Sequence, residues 1–190
     1  MVNANDVPVA VISRDEVFRK RANFRVVHDL IFNSSGELLI QELVRTRLRH
    51  PGYWGSSVAA YLFAGESYRS AAERRLAQEL GVAAVNLDFV GKVSMEDEGC
   101  QKFVGVFTGI HDGPFSFDKQ HIEKLEFLPI QQIHELRDSS SRLFTPTFLE
   151  CLASTRVESN SLVINPCLNH SQRNNCWIFF ESPLTSTDFR

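Results

Sequence analysis

Acidic and basic side chains gather at three places in the chain. Glu66, Glu73 and Glu79 lie in AGESYRSAAERRLAQELGV, Ala64 to Val82; Glu96, Asp97 and Glu98 stand together; Arg45, Arg47 and Arg49 alternate in RTRLRH. Carboxylates three and four residues apart on a helix converge on one face, where their oxygens can hold a hard divalent cation. Such a cation neutralises phosphate charge and activates water. Guanidinium groups match phosphate oxygens, and alternate residues of an extended segment share a side. A solvated charged loop is an equally good account of the three arginines.

Other chemistries find less support. Cys100, Cys151, Cys167 and Cys176 form no CxxC pair and no Cys/His cluster for zinc, so unpaired thiols are expected. There is no GxSxG, P-loop, dinucleotide fingerprint or basic nucleic-acid motif, and Ser56 and Ser57 have no paired base in view. His28, among apolar strand neighbours, reads as a satisfied, partly buried imidazole rather than a ligand.

These residues need a scaffold. Tyr68, Ala71, Ala72, Leu76 and Leu80 recur at three- and four-residue spacing before Gly81, which predicts a helix over 67–80. The segments VPVAVIS (from Val7), NFRVVHDLIFN, ELLIQELV, VNLDFVGKVSM, QKFVGVFTGI and EKLEFLPI read as strands, with a hairpin turn at Ser34-Ser35-Gly36 and another turn at HDGP. RDEVFRKR reads as a short turn or helix, and IQQIHEL and TPTFLECLAS as closing helices, the last with Thr145 as N-cap before Pro146. Mixed strands with intervening and closing helices predict an α/β sheet sandwiched between helices.

The 190 residues, 43% hydrophobic, can bury one sizeable core, so a single domain over 1–155 is expected, followed by an irregular tail over 156–190, docked or mobile. A net charge of -3 and a pI near 6.1 imply no nucleic-acid polymer or anionic membrane as partner. Without a long apolar run, a cytoplasmic protein is expected.

Gly65 to Val82 resembles the signature helix of the Nudix superfamily, G-x5-E-x7-R-E-U-x-E-E-x-G-U with U aliphatic. Glu66, Arg74, Leu76, Glu79, Gly81 and Val82 fit it, whereas Ala60, Arg75 and Gln78 replace the first glycine and two glutamates. The resemblance extends over roughly 7–154. The Pro51-Gly52-x-Trp54 loop and the double arginine of ERRLAQELG are similar to the branch that includes isopentenyl-diphosphate isomerases and related hydrolases. That branch's cysteine, histidine and later glutamate correspond to Ala59, Tyr61 and, approximately, Lys102, which argues against isomerase chemistry.

What the resemblance implies is a Nudix fold (α/β/α) and a hydrolase of a diphosphate-linked small molecule, of the nucleoside diphosphate derivative class, dependent on Mg2+ or Mn2+. Glu66, Glu79 and Glu96 would be metal ligands, with Glu79 and Glu98 catalytic, and Asp97 sharing the auxiliary role. Arg47, Trp54 and Arg74 would meet the substrate, with Phe63 beside Trp54 at the groove and Arg74 also orienting an acid. Because Arg75 stands one turn before Glu79, an ion pair is favoured where the metal would lie, and a weakened site follows. The alternative is a catalytically silent domain binding a phosphorylated ligand or a protein partner; a homodimer is also left open.

Overall fold

A computed structural model describes residues 1–83 and 85–154. Its centre is one seven-stranded sheet. The first strand, β1 (Phe24–Phe32), runs parallel to β6 (Cys100–Ile110) over its full length and antiparallel to β4 (Val58–Tyr61) on its other side. β2 (Leu38–Leu43) continues outward from β1 and pairs antiparallel with both β3 (Trp54–Gly55) and β7 (Ile122–Leu128), while β5 (Asp88–Asp97) closes the opposite edge against β6.

Strand alternation divides the apolar residues into two cores. On one face Val26, Leu30, Phe32, Leu38 and Ile40 pack with Ile133 of α3 (Ile130–Asp138) and with Phe148, Cys151 and Leu152 of α4 (Pro146–Ser154). On the other, Val27, Ile31, Leu39, Val58 and Phe107 pack with Ala71, Ala72, Leu76 and Leu80 of α2 (Tyr68–Leu80). The expected sheet between helices is therefore present. Cys100 and Cys151 are buried as thiols. The expected tail, with Cys167 and Cys176, lies outside the described residues, as does its domain boundary.

The helix that matters most has clear ends. Ser67 caps α2 by accepting from the Ser70 N–H at 3.1 Å. Gly81 ends it at φ 68°, left-handed, with its N–H on the Ala77 carbonyl at 3.1 Å. Gly36 likewise supplies the left-handed residue of the hairpin turn between β1 and β2. Thr145 stands at the N-cap position of α4, its carbonyl accepting from Leu149 at 3.2 Å.

One expected strand is not formed. Val7 to Ser13 runs outside the sheet apart from a bridge between Val2 and Pro8, and Val7, Val9 and Val11 are exposed. Pro8 has no N–H for a ladder, and Asp6 turns the chain at φ 61°. Asp6 then fastens the segment to the domain. Its side chain takes the Arg25 guanidinium at 2.5 Å, the Lys92 ammonium and the Tyr68 hydroxyl at 3.0 Å. The RDEVFRKR segment forms α1 (Arg14–Arg19).

Candidate active site

The signature segment builds its site from the entrance of α2 forwards. Glu66, just before the N-cap, is held by the Arg74 guanidinium through Nε to Oε1 at 2.6 Å and Nη2 to Oε2 at 2.8 Å. It also accepts from the Phe63 N–H at 2.8 Å. Arg74 is the main reason the Glu66 carboxyl lies below the ordinary range. The guanidinium of Arg74 stacks 3.9 Å from the centre of the exposed Phe63 ring. Both Glu66 oxygens are thus engaged in fixing the turn ahead of the helix.

One turn further on, Arg75 forms an ion pair with Glu79. Gln78 stands beside them, its amide oxygen accepting from Arg74 at 3.2 Å and from Arg75 at 3.3 Å. Glu79 is buried, and burial raises its pKa against the opposing pull of Arg75 and Arg47. Its second oxygen has no hydrogen-bond partner among the described residues, and neither has either oxygen of Asp29, a fully buried residue of β1. Burial, with repulsion from Glu79, pushes the Asp29 carboxyl up to about 8. Burial thus raises both carboxyls of this neighbouring pair.

A cavity opens beside this helix, and a second adjoins it without touching the helix. The larger, about 760 Å3, is walled by Arg14, Arg47, Arg75 and Glu79 on one side and by the apolar segment from Pro8 to Ile12 on another. Arg47 comes from the turn after β2, where its N–H bonds to the Val44 carbonyl. Burial and then the repulsion of Arg14 and Arg75 lower its pKa, opposed by Glu79. Arg14, Arg47 and Tyr61 also line the smaller cavity, about 130 Å3, together with Ala59, His28 and Lys102.

The smaller cavity is tied up by internal pairs. Lys102, 8% exposed, donates to Asp97 at 2.6 Å and to the Thr147 hydroxyl at 2.6 Å. Burial opposes the charge on Asp97, but Lys102 and Arg49 outweigh it and hold the carboxyl below its usual value. His28 Nδ1 meets the Ser56 hydroxyl at 2.7 Å, a base the sequence did not offer. Burial, then Lys102, lowers the His28 imidazole to about 3, so it is neutral at any ordinary pH. The pairing arises because β1 and β4 are neighbours, His28 lying opposite Ala59. Ser57 instead bridges the Ile31 N–H and the Leu39 carbonyl.

Several expected site residues stand elsewhere. Trp54 is 6% exposed and packed in the core, with the Arg142 guanidinium 4.4 Å above its ring, and lines neither cavity. Its strand pairs with β2, and that pairing turns the indole inward rather than into the groove. Glu96 is exposed on β5 and Glu98 lies in the turn at φ 52°, and neither lines either of these two cavities. Alternation aims Asp97, not its neighbours, at the smaller cavity. Glu98 pairs with Arg49 at 3.2 Å. Arg45, Arg47 and Arg49 do not share one side: Arg47 and Arg49 line the smaller cavity and Arg45 lines neither.

The sequence matches the family model described as "NUDIX domain" over residues 23–148. The chain belongs to the Nudix family. An uncharacterised Nudix hydrolase of Pseudomonas aeruginosa, PA4841, is 28% identical over 151 residues, covering 80% of this chain and 88% of the relative. Another, YfcD of Escherichia coli, is 28% identical over 157 residues, 80% of this chain and 83% of its own. Among solved structures, DR0079 of Deinococcus radiodurans superposes with a TM-score of 0.72 at 22% identity, over 82% of this chain and 96% of that one. The Nudix domain of Shewanella oneidensis NrtR, complexed with ADP ribose, gives 0.55 at 14% identity, over 76% and 97%. These matches support the family and not its isomerase branch.

Nudix chemistry generally employs a divalent cation, and such a cation needs oxygen donors free to hold it. Glu66 is held by Arg74, one Glu79 oxygen by Arg75, and the Gln78 amide by both arginines. Among the described residues no three His, Cys, Asp or Glu side chains converge as a metal set. Asp29 has two oxygens without a partner among the described residues, but it is fully buried and lines neither cavity. On the cleft side this leaves one free carboxylate oxygen, that of Glu79, beside a guanidinium, a poor protein share of the roughly six oxygens a hard cation takes. Among the described residues no helix is long and apolar enough to cross a membrane.

Proposed function

We propose that the protein hydrolyses a diphosphate-linked small molecule of the nucleoside diphosphate derivative class in the larger cleft, with Arg47 gripping phosphate. The observation that carries this reading is that Arg14, Arg47, Arg75 and the buried Glu79 line one cavity at the signature helix of a Nudix chain. Guanidinium groups bind phosphate oxygens in paired, planar hydrogen bonds. Glu79, its carboxyl raised by burial, has an oxygen without a partner that can take a proton from water as a general base. Arg74 acts through Glu66, setting the turn at the cleft rim.

The Arg75–Glu79 ion pair favours a second reading, a silent domain that holds the same kind of ligand without cleaving it. Mg2+ or Mn2+ as cofactor, Glu66 and Glu96 as its ligands and Glu98 as an auxiliary base are the parts of the family pattern least supported by the arrangement of these side chains. The proposal keeps a small molecule as partner and a cytoplasmic location.

Turnover decides between the two readings. The purified protein is incubated with ADP-ribose, dinucleoside polyphosphates and nucleotide sugars, with and without Mg2+ or Mn2+, and products are separated by chromatography. Release of a nucleoside monophosphate, lost in Glu79→Gln, is expected. Binding of a panel member with no product under any condition establishes the silent domain.

A further inference from the structure

The misfit between the donor set and a metal ion has a positive side. We propose that Arg75 takes the place of the metal: a phosphorylated ligand is bound directly by the guanidinium groups of Arg75, Arg47 and Arg14, with Glu79 as their counter-ion and no divalent cation between. This rests on the larger cleft being the ligand site.

Three features lead there. Arg75 sits on the signature helix at a slot where the Nudix pattern has a glutamate, and its charge is fixed over Glu79, one turn away. Gln78, at a second glutamate slot, uses its amide oxygen to steady Arg74 and Arg75 together. An amide there supports guanidinium groups that two carboxylates would have drawn away. The helix thus presents cationic hydrogen-bond donors where the family pattern presents anionic oxygens.

The charge around the cleft points the same way. Arg74 is balanced by Glu66 and Arg25 by Asp6, which leaves the side chains of Arg14, Arg47 and Arg75 facing the single carboxylate of Glu79, an excess of two positive charges. Arg47 has no ion-pair partner among the described residues although it is only partly exposed. Mutual repulsion of such a group is relieved by a polyanion, and a diphosphate carries the matching sign and about the matching charge. The cleft, at about 760 Å3, has room for the rest of a small molecule.

Calorimetry with inorganic pyrophosphate tests the idea, run once in EDTA and once with excess Mg2+. Binding in EDTA is expected, no weaker than with Mg2+. Arg47→Ala and Arg75→Ala should each raise the Kd about tenfold or more, and Arg69→Ala, on the same helix but outside the cleft, should leave it unchanged. Thermal melts of each variant separate lost contacts from lost folding, and Arg47, in a surface turn, serves if Arg75→Ala does not fold. Binding only with Mg2+, no binding at millimolar pyrophosphate in either condition, or wild-type affinity in both cleft variants overturns the proposal. Metal-dependent turnover of a diphosphate substrate would sink this inference while leaving the hydrolase reading intact. Metal-free binding without turnover does the reverse.

Discussion

Glu66 and Arg74 are joined by two parallel hydrogen bonds, 2.6 and 2.8 Å, that span the cap of the signature helix. Because Glu66 also accepts from the Phe63 N–H, the pair fixes the turn between β4 and α2 as well as the helix start. Arg74→Ala should destabilise the domain by about 1–3 kcal/mol, since it strips a mostly buried carboxylate of its charged partner. Denaturant unfolding measures this, and Arg74→Lys, which cannot form the fork, should recover only part of the loss.

Restoring the family's acidic slots should restore the family's metal. In Arg75→Glu/Gln78→Glu, three carboxylates at i, i+3 and i+4 replace one carboxylate and its guanidinium. The melting temperature of the double variant should rise with Mn2+ as the concentration passes its Kd, while the native protein stays flat. A flat response in both would show that the missing oxygens are not what keeps metal out.

Trp54 is a core residue, and its replacement should read as one. Trp54→Ala should cost about 3–5 kcal/mol by removing a large buried ring, and it also strips the Arg142 guanidinium of its stacking face. Trp54→Phe should cost distinctly less. A variant that weakened ligand binding with unchanged stability would contradict this placement.

Asp29 makes stability depend on pH between mild acid and neutrality. Its carboxyl is raised to about 8 in the folded chain, from an ordinary value of 3.8. A raised acid contributes stability that is fully present below the unfolded pKa and is lost as pH rises through the folded one. Stability should therefore fall between about pH 4 and pH 8, by up to about 1.4 kcal/mol per unit. Asp29→Asn, which mimics the protonated form, should flatten that part of the curve in urea titrations at several pH values.

The signature helix was the most legible part of the sequence. Tyr68, Ala71, Ala72, Leu76 and Leu80 announce its buried face and Gly81 its end, and these signals depend only on neighbours within a few turns. The β1, β2, β5 and β6 segments were legible for the same reason, as was the ion pair of Arg75 with Glu79. What escaped was set by distant parts of the chain. His28 and Ser56 meet because two strands happen to be adjacent, and no local spacing records that. Val7 to Ser13 has strand-forming residues, but Pro8 and the turn at Asp6 hold it off the sheet, moored by contacts to Arg25, Lys92 and Tyr68. Glu96, Asp97 and Glu98 look alike in sequence, and only the pleat of β5 and the turn after it decide that Asp97 alone points into a cavity.

The segment from Pro8 to Ile12, moored at Asp6, is a wall of the larger cleft but no part of the sheet or its helices. Residues such as Val9 and Val11 can therefore change with little cost to the folded framework while altering what the cleft admits beside its arginines. On the proposed reading the signature helix would keep its phosphate chemistry, and the opening stretch of the chain would decide which molecules bring a phosphate to it. Discrimination among ligands in this protein can thus evolve separately from the scaffold, through the least structured of its described parts.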